Sequence, residues 1–193
     1  MDFSKVKIEA KMATSWARAK ECALQTIGKK MVNLPDDEWE RKMLMCQHSP
    51  IRMVEYDIKI CGVPQWVTVH LVRHFIGCEK FVRTQREDRN PNVKNRDELP
   101  QGELNDMTFV ANAEALINIS KRRLCGCASP ETRKVWTLVR EAIREIDPIM
   151  AEFMVPSCIY RSFCPEINGC GYDKTEHFRV ALDYYHSLTK NNE

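Results

Sequence analysis

The residues best suited to chemistry lie in the segment 69–89, VHLVRHFIGCEKFVRTQREDR, where arginines, histidines and a lysine sit inside an apolar pattern rather than in a solvated tail. A guanidinium buried without a partner is costly. A fixed anion such as a phosphate supplies that partner, and His70, Arg73 and His74, three and four residues apart, share one face of a helix. Surface pairing of the same cations with Glu79, Glu87 and Asp88 is the plainer account of the spacing. Cys78, close to Arg73, His74 and Lys80, has surroundings that lower a thiol pKa, and equally the size of a small buried residue. A second group comes late: Cys125 and Cys127, then Cys158, Cys164 and Cys170 at six-residue intervals. These supply enough thiolates for a tetrahedral zinc ion or an iron–sulfur cluster, although no Cys-x-x-Cys knuckle is present and ordinary reduced thiols fit as well.

These groups need elements to position them. Trp16, Ala19, Ala23, Leu24 and Ile27 predict a helix over 15–30, stopped at Gly28 and its lysines. A second helix is predicted over 36–46, acidic at its start. Residues 52–60 alternate and predict a half-buried strand. Cys61-Gly62-Val63 ends it, and Pro64 opens a helix to Phe75. Residues 88–102, rich in Asn, Asp and Pro, read as one long loop. Further helices are predicted over 108–124, from the Ser129-Pro130-Glu131 start to 146, from Asp147-Pro148 to 155, and over 175–188. The sum is an α+β chain with more helix than sheet. At 193 residues, 44% hydrophobic, it forms a single domain spanning 1–193, with a cysteine- and aromatic-containing extension over about 155–193.

A formal charge of +2 argues against a nonspecific nucleic-acid coat. No apolar run approaches the roughly 20 residues of a membrane span, and the first residues carry no signal-peptide core. Nine cysteines, an odd number, fit reduced thiols, so a cytoplasmic protein is expected.

Read together, residues 43–89 and 112–133 resemble the flavin-dependent thymidylate synthases. Gln47-His48-Ser49-Pro50, a strand, and a helix leading to Arg73-His74 follow the family's order, and a downstream block supplies Asn112, Asn118, Arg123, Ala128 and Glu131 at the family's spacing. The hallmark that begins Arg-His-Arg is altered. Phe75, Cys78, Lys80, Phe81 and Arg83 replace its later Arg, Ser, Asn, Glu and Ser, and its last Arg falls at Gln85 or Arg86. His70 stands where the family has a pyrimidine-contacting Gln, Glu114 replaces an Arg, and Cys127 replaces a His.

The resemblance implies a mixed sheet flanked by helices, a homotetramer, and FAD between subunits. It implies methylation of dUMP to dTMP with methylenetetrahydrofolate and NADPH. Arg123 and Arg73 are then the catalytic arginines. His70, Arg73, Arg83, Gln85, Arg86 and Arg123 contact the nucleotide, and Ser49, His74, Asn112 and Asn118 the flavin. The altered hallmark leaves two alternatives: a sibling flavoenzyme acting on another pyrimidine nucleotide, or a noncatalytic nucleotide-binding or interaction module on the same fold.

Overall fold

The computed structural model describes residues 3–189. Its centre is a four-stranded sheet in the order β1-β2-β4-β3, formed by β1 (Lys7–Met12), β2 (Glu55–Pro64), β3 (Cys78–Val82) and β4 (Leu104–Asn112). Every neighbouring pair runs antiparallel, which corrects the mixed strand direction implied by the resemblance while keeping the α+β class. Eight α-helices accompany the sheet among the described residues: α1 (Trp16–Gln25), α2 (Asp37–Cys46), α3 (Gln65–Val72), α4 (Ala113–Arg123), α5 (Pro130–Ile146), α6 (Pro148–Phe153), α7 (Ser157–Arg161) and α8 (Glu176–Ser187). None of them is long and apolar enough to cross a membrane.

One face of the sheet makes the core. Tyr56, Ile58 and Ile60 of β2 stand opposite Ala111, Phe109 and Met107 of β4, and all six are buried. The long amphipathic α5 covers that face with Val135, Trp136, Val139 and Ile143. Trp136 meets Phe109 edge-on at 5.9 Å and donates its indole N–H to Ser120 of α4 at 2.9 Å. Asp147, buried between α5 and α6, accepts from Trp16 at 2.8 Å, from the Tyr56 hydroxyl at 2.6 Å and from the backbone of Met150 at 2.9 Å. One carboxylate thus caps α6 and ties α1 to the central strand.

Several boundaries differ from the sequence expectation for local reasons. Ser49–Met53 is a 3-10 turn with Pro50 near its start, so Arg52 is not on the strand. The strand runs through Cys61-Gly62-Val63 instead of ending there: Gly62, at φ 71°, absorbs a bulge between Ile60 and Val63, and its N–H donates to Asp106. α3 stops at Val72 rather than Phe75, and the chain turns through Gly77, at φ 70°, into β3. The predicted helix over 108–124 is two elements. Residues through Asn112 complete β4, and Asn112 then caps α4 by accepting from Ala115 at 2.9 Å. The loop reading of 88–102 holds apart from a short 3-10 turn at Arg96–Glu98. The helices from 130, 148 and 175 onward also appear, with Asp147 and Thr175 as side-chain caps.

Candidate functional site

The end of α3, the end of α4 and the start of α5 meet at one corner. His70, on the last turn of α3, shares a 2.8 Å hydrogen bond through Nδ1 with the buried Thr132 of α5. Arg73 caps the helix and His74 follows. From α4, Arg123 reaches across: its Nε donates to His74 Nε2 at 2.8 Å and its Nη2 to the His70 carbonyl at 2.6 Å. The side chain is therefore fixed at two points, and its remaining N–H groups have no hydrogen-bond partner among the described residues. Arg73, His74, Arg122, Arg123, Cys125, Cys127, Ala128 and Glu166 line an open cleft of about 400 Å³.

The electrostatics of this corner are unbalanced toward positive charge. Among the described residues neither Arg73 nor Arg123 has an acid within ion-pair distance, and Glu166 leans to Arg122 at 3.7 Å. Burial, then the neighbouring Arg73, lowers the pKa of Arg123. Burial and the cations Arg123, Lys80, Arg73 and Arg122 push His74 down to about 4. His74 is thus neutral near pH 7 and presents a bare Nε2 to accept from Arg123. His70 is shifted the same way, by burial and then by Arg123 and Arg73. An anion or a polarised carbonyl is the ligand that such a cluster stabilises.

The other expected nucleotide contacts lie elsewhere in the chain. Arg83 follows β3 at the far end of the sheet, paired with Asp106 at 3.1 Å and donating to the Leu104 carbonyl at 3.2 Å. Gln85 is half-buried beyond it, and Arg86 is clamped onto Asp88 by bonds of 2.9 and 2.6 Å. Cys78 is buried in β3, and burial raises its pKa, the opposite of what an activated nucleophile needs.

The residues expected at a flavin divide into two groups. His74 belongs to the cleft just described, and Asn112 is turned to the α4 cap, packed against Gly77. Exposed Ser49 and Asn118 lie instead along the other side of α4. There Lys121 bridges Asn118 at 3.1 Å and Gln47 at 3.3 Å, with its ammonium 3.6 Å from the Tyr160 ring centre. Gln47 Nε2 is buried there without a hydrogen-bond partner among the described residues.

The late cysteines do gather. Cys125, Cys158, Cys164 and Cys170 line a neighbouring cleft of about 600 Å³ together with Arg133, Lys134 and Arg140. Burial lifts the Cys158 thiol to about 11. Yet among the described residues no group of three or more His, Cys, Asp or Glu side chains is disposed to hold a metal ion, so the expected zinc ligand set does not stand as an arranged site. Sequence reasoning missed Arg122, Thr132 and Glu166. Thr132 carried a signal: it is the polar member of the otherwise apolar stripe Thr132, Val135, Trp136, Val139, Ile143.

Neither a protein-family profile nor a curated protein matches the sequence. Among solved structures, the UMP/dUMP methylase PolB from Streptomyces cacaoi, bound with 5-Br dUMP, matches with a TM-score of 0.61 at 14% identity, over 82% of this chain and 95% of that one. The same methylase bound with 5-Br UMP matches at 0.54 and 13%, over 76% and 93%. This chain therefore shares its fold with a UMP/dUMP methylase.

Proposed function

We propose that this chain is a pyrimidine-nucleotide methylase of the flavin-dependent thymidylate synthase type, taking a uracil nucleotide into the cleft of Arg73, His74 and Arg123. The observation that carries the reading is the double anchoring of Arg123 by His74 Nε2 and the His70 carbonyl. It fixes a half-buried guanidinium in the cleft before any ligand arrives. Preorganised donors of this kind stabilise charge that develops on a ring carbonyl. Arg73 and Arg122, more exposed at the rim, suit the nucleotide phosphate. With Arg123 drawing electron density toward a uracil carbonyl, the ring becomes more electrophilic without a protein nucleophile, in keeping with the buried, high-pKa Cys78.

A flavin fits the residues on the other side of α4 on one count: the orphaned Gln47 Nε2 is a buried donor beside Asn118 and Lys121. Ser49 and Asn118 would hold the cofactor there, with His74 and Asn112 meeting it from a second copy or at the rim. When bound, FAD would supply hydride chemistry, replenished by NADPH, to a one-carbon unit delivered from methylenetetrahydrofolate. At about 100° per residue, Asn118 and Arg123 point roughly 140° apart around α4. One chain alone therefore separates the flavin edge from the nucleotide cleft, which supports a site shared between copies, as in the homotetramer the resemblance implies. Phe75, Ile76 and Phe81, respectively 75%, 72% and 64% exposed near the cleft and on β3, are apolar surface that a second copy would cover.

The test is tritium release from 5-tritiated dUMP and UMP by protein supplied with FAD, NADPH and methylenetetrahydrofolate. Release above the protein-free background from dUMP supports the thymidylate reaction. Release from UMP alone supports the sibling enzyme. A colourless protein that binds nucleotide and releases nothing is the noncatalytic module.

A further inference from the structure

We propose that Cys127 and Cys170 form a reversible disulfide that staples the α4–α5 turn to the loop preceding α8. Three observations converge on this pair. The Cys127 thiol donates to the Asn168 carbonyl at 3.5 Å, which directs it to the loop that carries Cys170. A Cβ placed on Gly126 would lie 2.7 Å from Cys170 Sγ and 3.2 Å from its Cβ, so Cys170 sits directly on the backbone beside Cys127. Burial first, and then Cys125 and Cys170 beside it, raise the Cys127 pKa to about 11, so Cys170 is a close neighbour while the thiolate that attacks peroxide is scarce at neutral pH. Cys125 is the less available third member. It is half-buried, its sulfur accepts the Cys127 N–H at 3.5 Å, and its carbonyl accepts from Ala128 at 3.0 Å, so the turn holds it. Cys127 and Cys170 are both exposed and within reach of a solute oxidant.

The step balances with hydrogen peroxide. One thiolate attacks a peroxide oxygen, the O–O bond breaks, and a sulfenic acid and water result. The second sulfur then attacks the first, the S–S bond forms, and the hydroxyl leaves as a second water. The two sulfurs lose two electrons and two protons in all, and a dithiol returns them. Cys127 also lines the cleft of Arg73, His74 and Arg123, so the staple fixes one wall of that cleft to a loop more than forty residues away.

The test treats the full-length protein with hydrogen peroxide, alkylates it under denaturing conditions and maps tryptic peptides. Alkylatable thiols should fall from nine to seven, with peptides 124–133 and 162–174 joined, lighter by two hydrogens, and separated again by dithiothreitol. Those peptides also contain Cys125 and Cys164, so single variants assign the bond. C125S and C164S should keep the link, while C127S and C170S should lose it. Nine alkylatable thiols after oxidation, a link that survives in C170S, or close to one equivalent of zinc released by thiol alkylation of untreated protein would each overturn the disulfide.

Discussion

Arg123 is half-buried, has no acid within ion-pair distance among the described residues, and is held at two points by neutral acceptors. Replacing it with Ala should lower turnover by about 10²–10³-fold, on the order of 3–4 kcal/mol, because one preorganised donor is lost at the reacting carbonyl. Arg123→Lys should recover little, since a single ammonium cannot span His74, the His70 carbonyl and a ligand. Tritium release measured beside thermal unfolding separates the two effects, and a variant with parental turnover would remove Arg123 from the chemistry. His74 gives a second handle. Its pKa is drawn from an ordinary 6.5 to about 4. Between those values the unfolded chain binds more protons than the folded one, so this group makes stability fall as pH drops through that window. Glu40 opposes it: burial and then Asp147 lift its pKa to about 7, so its contribution falls as pH rises. The difference between parent and His74→Gln, which keeps an acceptor for Arg123, isolates the histidine. Denaturant titrations from pH 7 to pH 4 should show a shallower loss in the variant.

At the scale of elements, the site depends on a cap and a turn. Asn112 ends β4 and begins α4, and Gly77 packs against its side chain, so that a Cβ at Gly77 would come within 2.8 Å of the amide. Gly77→Ala should therefore cost about 1–3 kcal/mol, from positive φ and a displaced cap together, and should weaken nucleotide binding by shifting α4 and its Arg123. Asp147→Ala strands the buried Trp16 and Tyr56 donors and uncaps α6. A loss of about 3 kcal/mol or more is expected in urea titration, with the cleft unchanged. These two elements also show what the sequence could reveal. The α5 start at Ser129-Pro130 and the Asp147 cap were legible because capping and proline chemistry are local. β4 was not: Val110 and Ala113 to Ile119 continue an apolar pattern compatible with helix, and only pairing with β2 and β3 decides that the chain is extended up to Asn112. β1 carried a plain alternation, Lys7, Glu9 and Lys11 outward, yet its six residues acquire strand character from β2 alongside. Within the site, the Asn112, Asn118, Arg123 spacing was readable from the sequence. The contact of Arg123 with His74 is tertiary and was not.

At the scale of the molecule, the cations named from sequence divide between two ends of the sheet. Arg73 and Arg123 share a corner, while Arg83 and Arg86 are committed to Asp106 and Asp88 beyond the far end of β3. A single chain does not gather them, so under the proposed function both sets would serve one nucleotide only in an assembly of copies. Analytical ultracentrifugation with detection at flavin wavelengths should therefore show FAD sedimenting with a tetramer. Phe75→Glu together with Phe81→Glu should give smaller species that release the flavin, whereas a flavin-loaded monomer would contradict the interfacial reading.

The central claim, that the Arg73, His74 and Arg123 cleft takes a uracil nucleotide, is met most directly by isothermal titration of dUMP and UMP into the parent and into Arg123→Ala. The account predicts saturable binding of at least one nucleotide by the parent, weakened about tenfold or more in the variant, a difference of at least about 1.4 kcal/mol, with the fold intact by circular dichroism. Equal affinity in the two proteins, or no binding of either nucleotide to the flavin-loaded parent, would contradict it.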